Sequence, residues 1–145
     1  MATERRAEVT WQGDLPSGSG TIESVGSGAF DALDVSWSAR AEQPDGKTSP
    51  EELIAAAHAS CFSMALSNVL AQAGAPPDQL SVVATVTFEP GTGITKSVLD
   101  VQGTVPGVEE SDFRRAAEDA KENCPVSQAL KGNVELSVNA RLQAA

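Results

Sequence analysis

Cys61 and Cys124 are the two cysteines of this 145-residue chain, and His58 is its single histidine. Sulfur chemistry runs through the thiolate, so the first question is which surroundings would ionise either residue. Cys61 falls inside a long apolar stretch. Desolvation there holds a thiol protonated, and a free cysteine in such a place is also a small hydrophobe of the core. Cys124 precedes Pro125, a residue type suited to the first helical position, which makes Cys124 an N-cap. A helix end favours a thiolate, so residue chemistry alone ranks Cys124 as the more acidic thiol, with a tolerated cap as the structural alternative. Other sulfur chemistries fit less well. There is no C-x-x-C, so a thioredoxin-type site is unsupported. A zinc ion could take His58 and Cys61, spaced i, i+3, together with Cys124, but no second ligand pair exists. A Cys–His hydrolase would use His58 one turn from Cys61, with nothing evident to orient the ring. No metal and no cofactor are expected.

The element that carries Cys61 begins at Ser49-Pro50-Glu51-Glu52. Ser49 reads as the N-cap, Pro50 as the first helical residue and Glu52 as the other half of a capping box. The helix should run to about Ala73, where Gly74 stops it, roughly 35 Å in all. No charge occurs from Leu53 through Pro77. His58, Ser60, Ser63, Ser67, Asn68 and Gln72 interrupt the run, which argues against a membrane span and for a helix buried nearly all round. A chain of this size has little mass to surround such a helix, so a partner subunit is expected. Cys124 opens a short helical turn, 124–130, after a helix over about 110–122 whose inner face is Phe113, Ala116, Ala117 and Ala120. Strands are predicted at 7–12, 20–24, 33–41, 80–89, 94–105 and 133–142. In the third, Leu33, Val35, Trp37 and Ala39 share one face by alternation. Trp11 and Trp37 read as core or rim packing. The order is α+β, without a regular βαβ repeat, in one domain spanning 1–145.

Apolar residues make up 41% of the chain and aromatic ones 4%, so the core must be built from small and aliphatic side chains. A formal charge of −10 disfavours nucleic acid and anionic membranes as partners. The N-terminal stretch MATERRAEVTW lacks an apolar run, so no secretory signal is expected. The cytoplasm is then the default location. In that reducing setting a cysteine pair is more often catalytic or redox-sensing than a structural staple.

The stretch Thr48-Ser-Pro-Glu-Glu-Leu-Ile-Ala-Ala-Ala-His-Ala-Ser-Cys-Phe-Ser-Met-Ala-Leu-Ser67 closely resembles the central helix of the OsmC/Ohr family of organic hydroperoxide reductases. Cys124-Pro-Val-Ser-Gln-Ala-Leu130 resembles that family's second cysteine motif. The resemblance extends over nearly the whole chain, and His58-Ala-Ser-Cys61 looks more like the OsmC branch than the Ohr branch. It implies an intertwined homodimer with a long buried central helix wrapped by antiparallel sheets. It also implies hydroperoxide reduction, with Cys61 as the peroxidatic and Cys124 as the resolving cysteine, the reverse of the ranking from the helix end. By the same match Arg40 is the catalytic arginine, at the end of the strand before the long helix, and Glu51 the acid that pairs with it. The bland reading of Glu51 is a negative charge at a helix N-terminus.

The chemistry so implied is self-consistent. A guanidinium opposes the desolvation of Cys61 and donates to peroxide oxygens, while Glu51 grips it in a bidentate pair. Attack yields an alcohol and a Cys61 sulfenic acid, Cys124 condenses with it to a disulfide, and an external thiol or dithiol, such as a lipoyl-type one, restores the thiols. Glu51 and Cys61 stand ten residues apart, about 15 Å along a helix. If both serve one site, either the helix breaks between them or they come from different subunits. Antiparallel packing of two copies would give two composite sites per dimer. Phe62 and Met64 beside the thiol suggest a preference for bulky organic hydroperoxides, unless they are simply core. Two readings compete: a non-catalytic, stress-related dimeric binding protein whose cysteines only sense oxidation, and a structural dimer with inert thiols.

Overall fold

The computed structural model describes residues 1–143. They gather into two compact units, one from Met1 to Leu53 and one from Ile54 onward. The first holds an antiparallel sheet of β1 (Ala7–Gln12), β2 (Ser19–Val25) and β3 (Asp31–Val35), in that order. Trp11 pairs with Gly20 and lies over it. A Cβ at Gly20 would fall 2.7 Å from the indole, so a larger residue there would force the ring away. Trp11 is therefore a rim residue, 41% exposed, with its indole N–H donated to the Gly13 carbonyl at 2.9 Å.

The strand predicted for 33–41 stops at Val35. Ser36 adopts an extended backbone and its hydroxyl accepts the Ala39 N–H at 3.1 Å, which starts a short helix, α1 (Trp37–Ala41). A serine that offers the backbone a local acceptor ends a strand that apolar alternation alone would continue. Arg40 thus sits in the last turn of α1 and not at a strand end.

Helix α2 (Pro50–Gln72) is unbroken. Ser49 caps it, its hydroxyl accepting the Glu52 N–H at 3.1 Å. The reciprocal half of the expected capping box differs: the Glu52 carboxylate accepts the Thr48 hydroxyl at 2.9 Å. At the other end Gly74 has φ +84°, and the Ala75 N–H reaches back to the Leu70 carbonyl at 2.9 Å. That left-handed turn is one glycine accepts without strain.

In the second unit β4 (Gln79–Glu89), β5 (Gly93–Thr104) and β6 (Glu135–Leu142) form one sheet in that order. β4 and β5 are antiparallel, but β6 runs parallel to β5, with Leu99 opposite Val138. The sheet is therefore mixed, contrary to the antiparallel expectation. The connection from β5 to β6 carries α3 (Glu110–Asn123) and α4 (Pro125–Leu130), and a crossover of that length is what lets neighbouring strands run parallel. Inward from β5 point Ser97, Leu99, Val101 and Gly103. α3 turns in Phe113, Ala116, Ala117 and Ala120, the face read from the sequence. A Cβ at Gly103 would lie 2.6 Å from the Phe113 ring, so only glycine allows this approach.

His58, Phe62, Leu66 and Leu70, four residues apart, form the buried stripe of α2, and the last three join Leu99, Val101 and Phe113 in one core. The opposite stripe, with Ala57, Ser60, Met64, Asn68 and Ala71, is exposed. Within a single copy the helix is thus buried along one face, not nearly all round. By length and composition alone α2 could cross a membrane. Its buried stripe and shared core are those of an internal helix of an α+β fold.

Candidate active site

Cys124 is the joint between two helices. Its N–H closes α3 on the Ala120 carbonyl at 2.9 Å, and its own carbonyl accepts the Gln128 N–H at 3.0 Å to open α4. Pro125 follows as the first helical residue, as its type dictates. The Cys124 side chain is fully buried and makes no capping bond. Cys61, half-buried on α2 one turn beyond His58, comes near it there: the two thiols are close enough for Cys124 to disfavour the Cys61 thiolate, and both are free. The Val126 N–H, in the first turn of α4, lies near enough to the Cys61 sulfur to favour its thiolate.

These contacts revise the argument from the helix end. The amide that the α4 terminus offers goes to Cys61, where it favours the thiolate. Burial outweighs it, and with the nearby Cys124 it pushes the Cys61 thiol above its ordinary value. Within its own unit, then, Cys61 is ready in position but not in charge.

His58 is fully buried, with Nδ1 2.7 Å from the Ser97 hydroxyl and Nε2 2.8 Å from the Ser127 hydroxyl. Burial holds its pKa below the usual imidazole range, so the ring is neutral. Both nitrogens are engaged by serines, which leaves no lone pair for zinc and no path to a sulfur as a hydrolase base. Among the described residues no cluster of histidine, cysteine and carboxylate side chains suits a metal ion. Sequence reasoning missed Ser97 and Ser127. Ser127 lies within the second cysteine motif, whereas Ser97 is one of several inward residues on β5 with no local signal.

In the first unit, Arg40 and Glu51 form the pair that the motif match anticipated. Arg40 Nε lies 3.1 Å from both carboxylate oxygens, and Nη2 lies 2.8 Å from Oε2. Glu51 is 6% exposed, so its carboxylate is removed from water and answered by a planar donor fork. Phe62, expected near the thiol, lies wholly in the core, while Met64 is 72% exposed.

Residues 43–139 match the family model described as OsmC-like protein. The chain belongs to the OsmC family. Its OsmC relatives include the Escherichia coli protein named peroxiredoxin OsmC, 40% identical over 139 residues that cover 94% of this chain and 96% of that protein. A Staphylococcus epidermidis protein named organic hydroperoxide resistance protein-like 1 is 35% identical over 102 residues, covering 68% of this chain and 73% of its own. The OsmC fold is also that of the Bacillus subtilis organic hydroperoxide resistance protein OhrB, whose crystal structure aligns with a TM-score of 0.68 at 24% identity over 94% of this chain and 98% of that one.

Proposed function

We propose that this OsmC-family chain is a thiol peroxidase that reduces organic hydroperoxides, with 1–145 acting as one domain and the cytoplasm as its setting. The observation that carries the reading is the closeness of Cys61 and Cys124, near enough for each thiol to act on the other although they stand 63 positions apart in the chain. Support also comes from the family, whose relatives carry the names peroxiredoxin and organic hydroperoxide resistance protein.

In the first step the Cys61 thiolate attacks the outer oxygen of ROOH. The O–O bond breaks, the alkoxide takes a proton and leaves as ROH, and Cys61 becomes a sulfenic acid. Cys124 then attacks that sulfur, expelling water as the disulfide forms. An external dithiol, for instance of lipoyl type, returns two electrons and two protons and leaves as its own disulfide.

The first step needs a cation, because burial alone disfavours the thiolate. Arg40, oriented by Glu51, is the proposed source. Since α2 runs without a break through both Glu51 and Cys61, the remaining way to bring the pair to a thiol is from a second copy. We therefore take the active form to be a homodimer with two composite sites, in which the exposed stripe around Met64 meets its counterpart. Met64 and the alanines of that uncharged stripe favour an alkyl or aryl hydroperoxide over hydrogen peroxide.

The test is turnover with cumene hydroperoxide and excess dithiol. The peroxidase reading expects consumption far beyond one equivalent per subunit, and faster than with hydrogen peroxide. Consumption that halts after about one equivalent would mark a sensor.

A further inference from the structure

His58 takes no chemical part in that mechanism, yet this single imidazole of the chain is fully buried and joins three elements. It projects from α2, bonds Ser97 on β5 through Nδ1 and bonds Ser127 on α4 through Nε2. A neutral imidazole offers one donor and one acceptor, and a serine hydroxyl can play either role, so both bonds are satisfied in either tautomer. The contact is thus a permanent tie and not a proton switch that must be set.

The tie falls where the site needs one. α4 has six residues, too few to hold a helix by itself, and it carries Cys124 at its N-cap and the Val126 amide in its first turn. Ser127 is the next residue, fully buried. Fixing Ser127 to α2 fixes the turn that presents Cys124. His58 lies one turn from Cys61 on the same helix, so a single ring refers both sulfurs to one frame. Disulfide closure is demanding in this respect: the sulfurs must come from a non-bonded separation to about 2.05 Å with a restricted dihedral angle.

We propose that His58, with Ser97 and Ser127, is a positioning residue for the resolving step, holding α4 so that Cys124 meets the Cys61 sulfenic acid. The proposal rests on the peroxidase reading and specifies which of its steps depends on the tie. Deleting the tie lets α4 pivot, and a misplacement of about 1 Å can slow a reaction by about 10²-fold. Attack on the peroxide does not use the Cys124 sulfur and takes its deciding charge from Arg40, so of what α4 carries it uses the Val126 amide alone and should depend on the tie less.

The experiment is rapid quench of the full-length protein after one equivalent of cumene hydroperoxide, with mass spectrometric measurement of dimedone-trapped Cys61 sulfenic acid and of the Cys61–Cys124 disulfide. In Ser127→Ala, sulfenic acid should form within about threefold of the wild-type rate, while disulfide closure slows by about tenfold or more. Sulfinic acid should accumulate at Cys61 as the unresolved intermediate meets more peroxide. Ser127→Thr, which keeps the hydroxyl, should restore closure, and His58→Gln, which keeps a donor and an acceptor, should restore more of it than His58→Leu. Closure at the wild-type rate in Ser127→Ala overturns the proposal, and so does a proportional loss in both steps, which would mean general damage. Wild-type protein that forms neither sulfenic acid nor disulfide would overturn the peroxidase reading itself, and the positioning role with it.

Discussion

Two neighbours act on the acidity of Cys61 in opposite senses, the Val126 amide favouring the thiolate and Cys124 the thiol. With burial on the side of the thiol, the guanidinium of Arg40 becomes the deciding charge in the proposed site. Arg40→Met should lower kcat/KM by about 10²-fold, near 2.7 kcal/mol of transition-state stabilisation, and should slow iodoacetamide alkylation of Cys61 at neutral pH. Arg40→Lys should rescue little, because Glu51 is gripped by a planar fork that an ammonium lacks. His58 gives a pH signature of the fold. Its folded pKa lies below the ordinary 6.5, so as pH falls through that value the unfolded ring takes up a proton that the folded ring refuses. Stability therefore drops from about pH 6.5 downward until the folded ring itself titrates, and His58→Gln should lose that component of the slope in urea melts at pH 7 and pH 5. The two cysteines and Glu51 were legible because long local motifs carry them, whereas Arg40 lies outside those motifs and was expected at a strand end, not in α1. The acidity ranking was not, because the partner of the Val126 amide is a residue 65 positions away, which no local rule supplies.

Most elements could be read, the short β1, β2 and α4 among them, but α1 and the direction of β6 could not. α2 and α3 announce themselves by a cap, a terminal glycine and a repeating inner face, and Ser49→Ala should cost about 1 kcal/mol in denaturant melts. α1 was hidden because Leu33, Val35, Trp37 and Ala39 alternate like a strand, and one serine hydroxyl redirects the backbone. The parallel placement of β6 was hidden for a different reason: apolar alternation tells which face is buried but not which way a strand runs beside its neighbour. Gly103 on β5 belongs to this scale as well. Gly103→Ala would drive a methyl into the Phe113 ring and should destabilise the protein by about 1–3 kcal/mol, read as a shift in denaturation midpoint.

A single copy leaves the Met64 stripe of α2 in water, although the sequence of the helix has no charge beyond Glu52. On the proposed dimer that stripe is the interface, so Met64→Glu should yield monomers in sedimentation velocity. If each site draws Arg40 from the other copy, the same variant should lose turnover while Cys61 and Cys124 remain close. The uncharged run of the helix made a partner the expectation, but which stripe stays open in one copy was not legible, since that depends on how β5 and α3 cover the other side. At the root of the whole reading lies a redox pair, and peptide mapping of protein treated with one equivalent of cumene hydroperoxide interrogates it most directly. The expected product is a Cys61–Cys124 bridge that an added dithiol reverses. Peptides with both thiols intact, or with oxygen fixed on Cys124 and Cys61 untouched, would contradict the account.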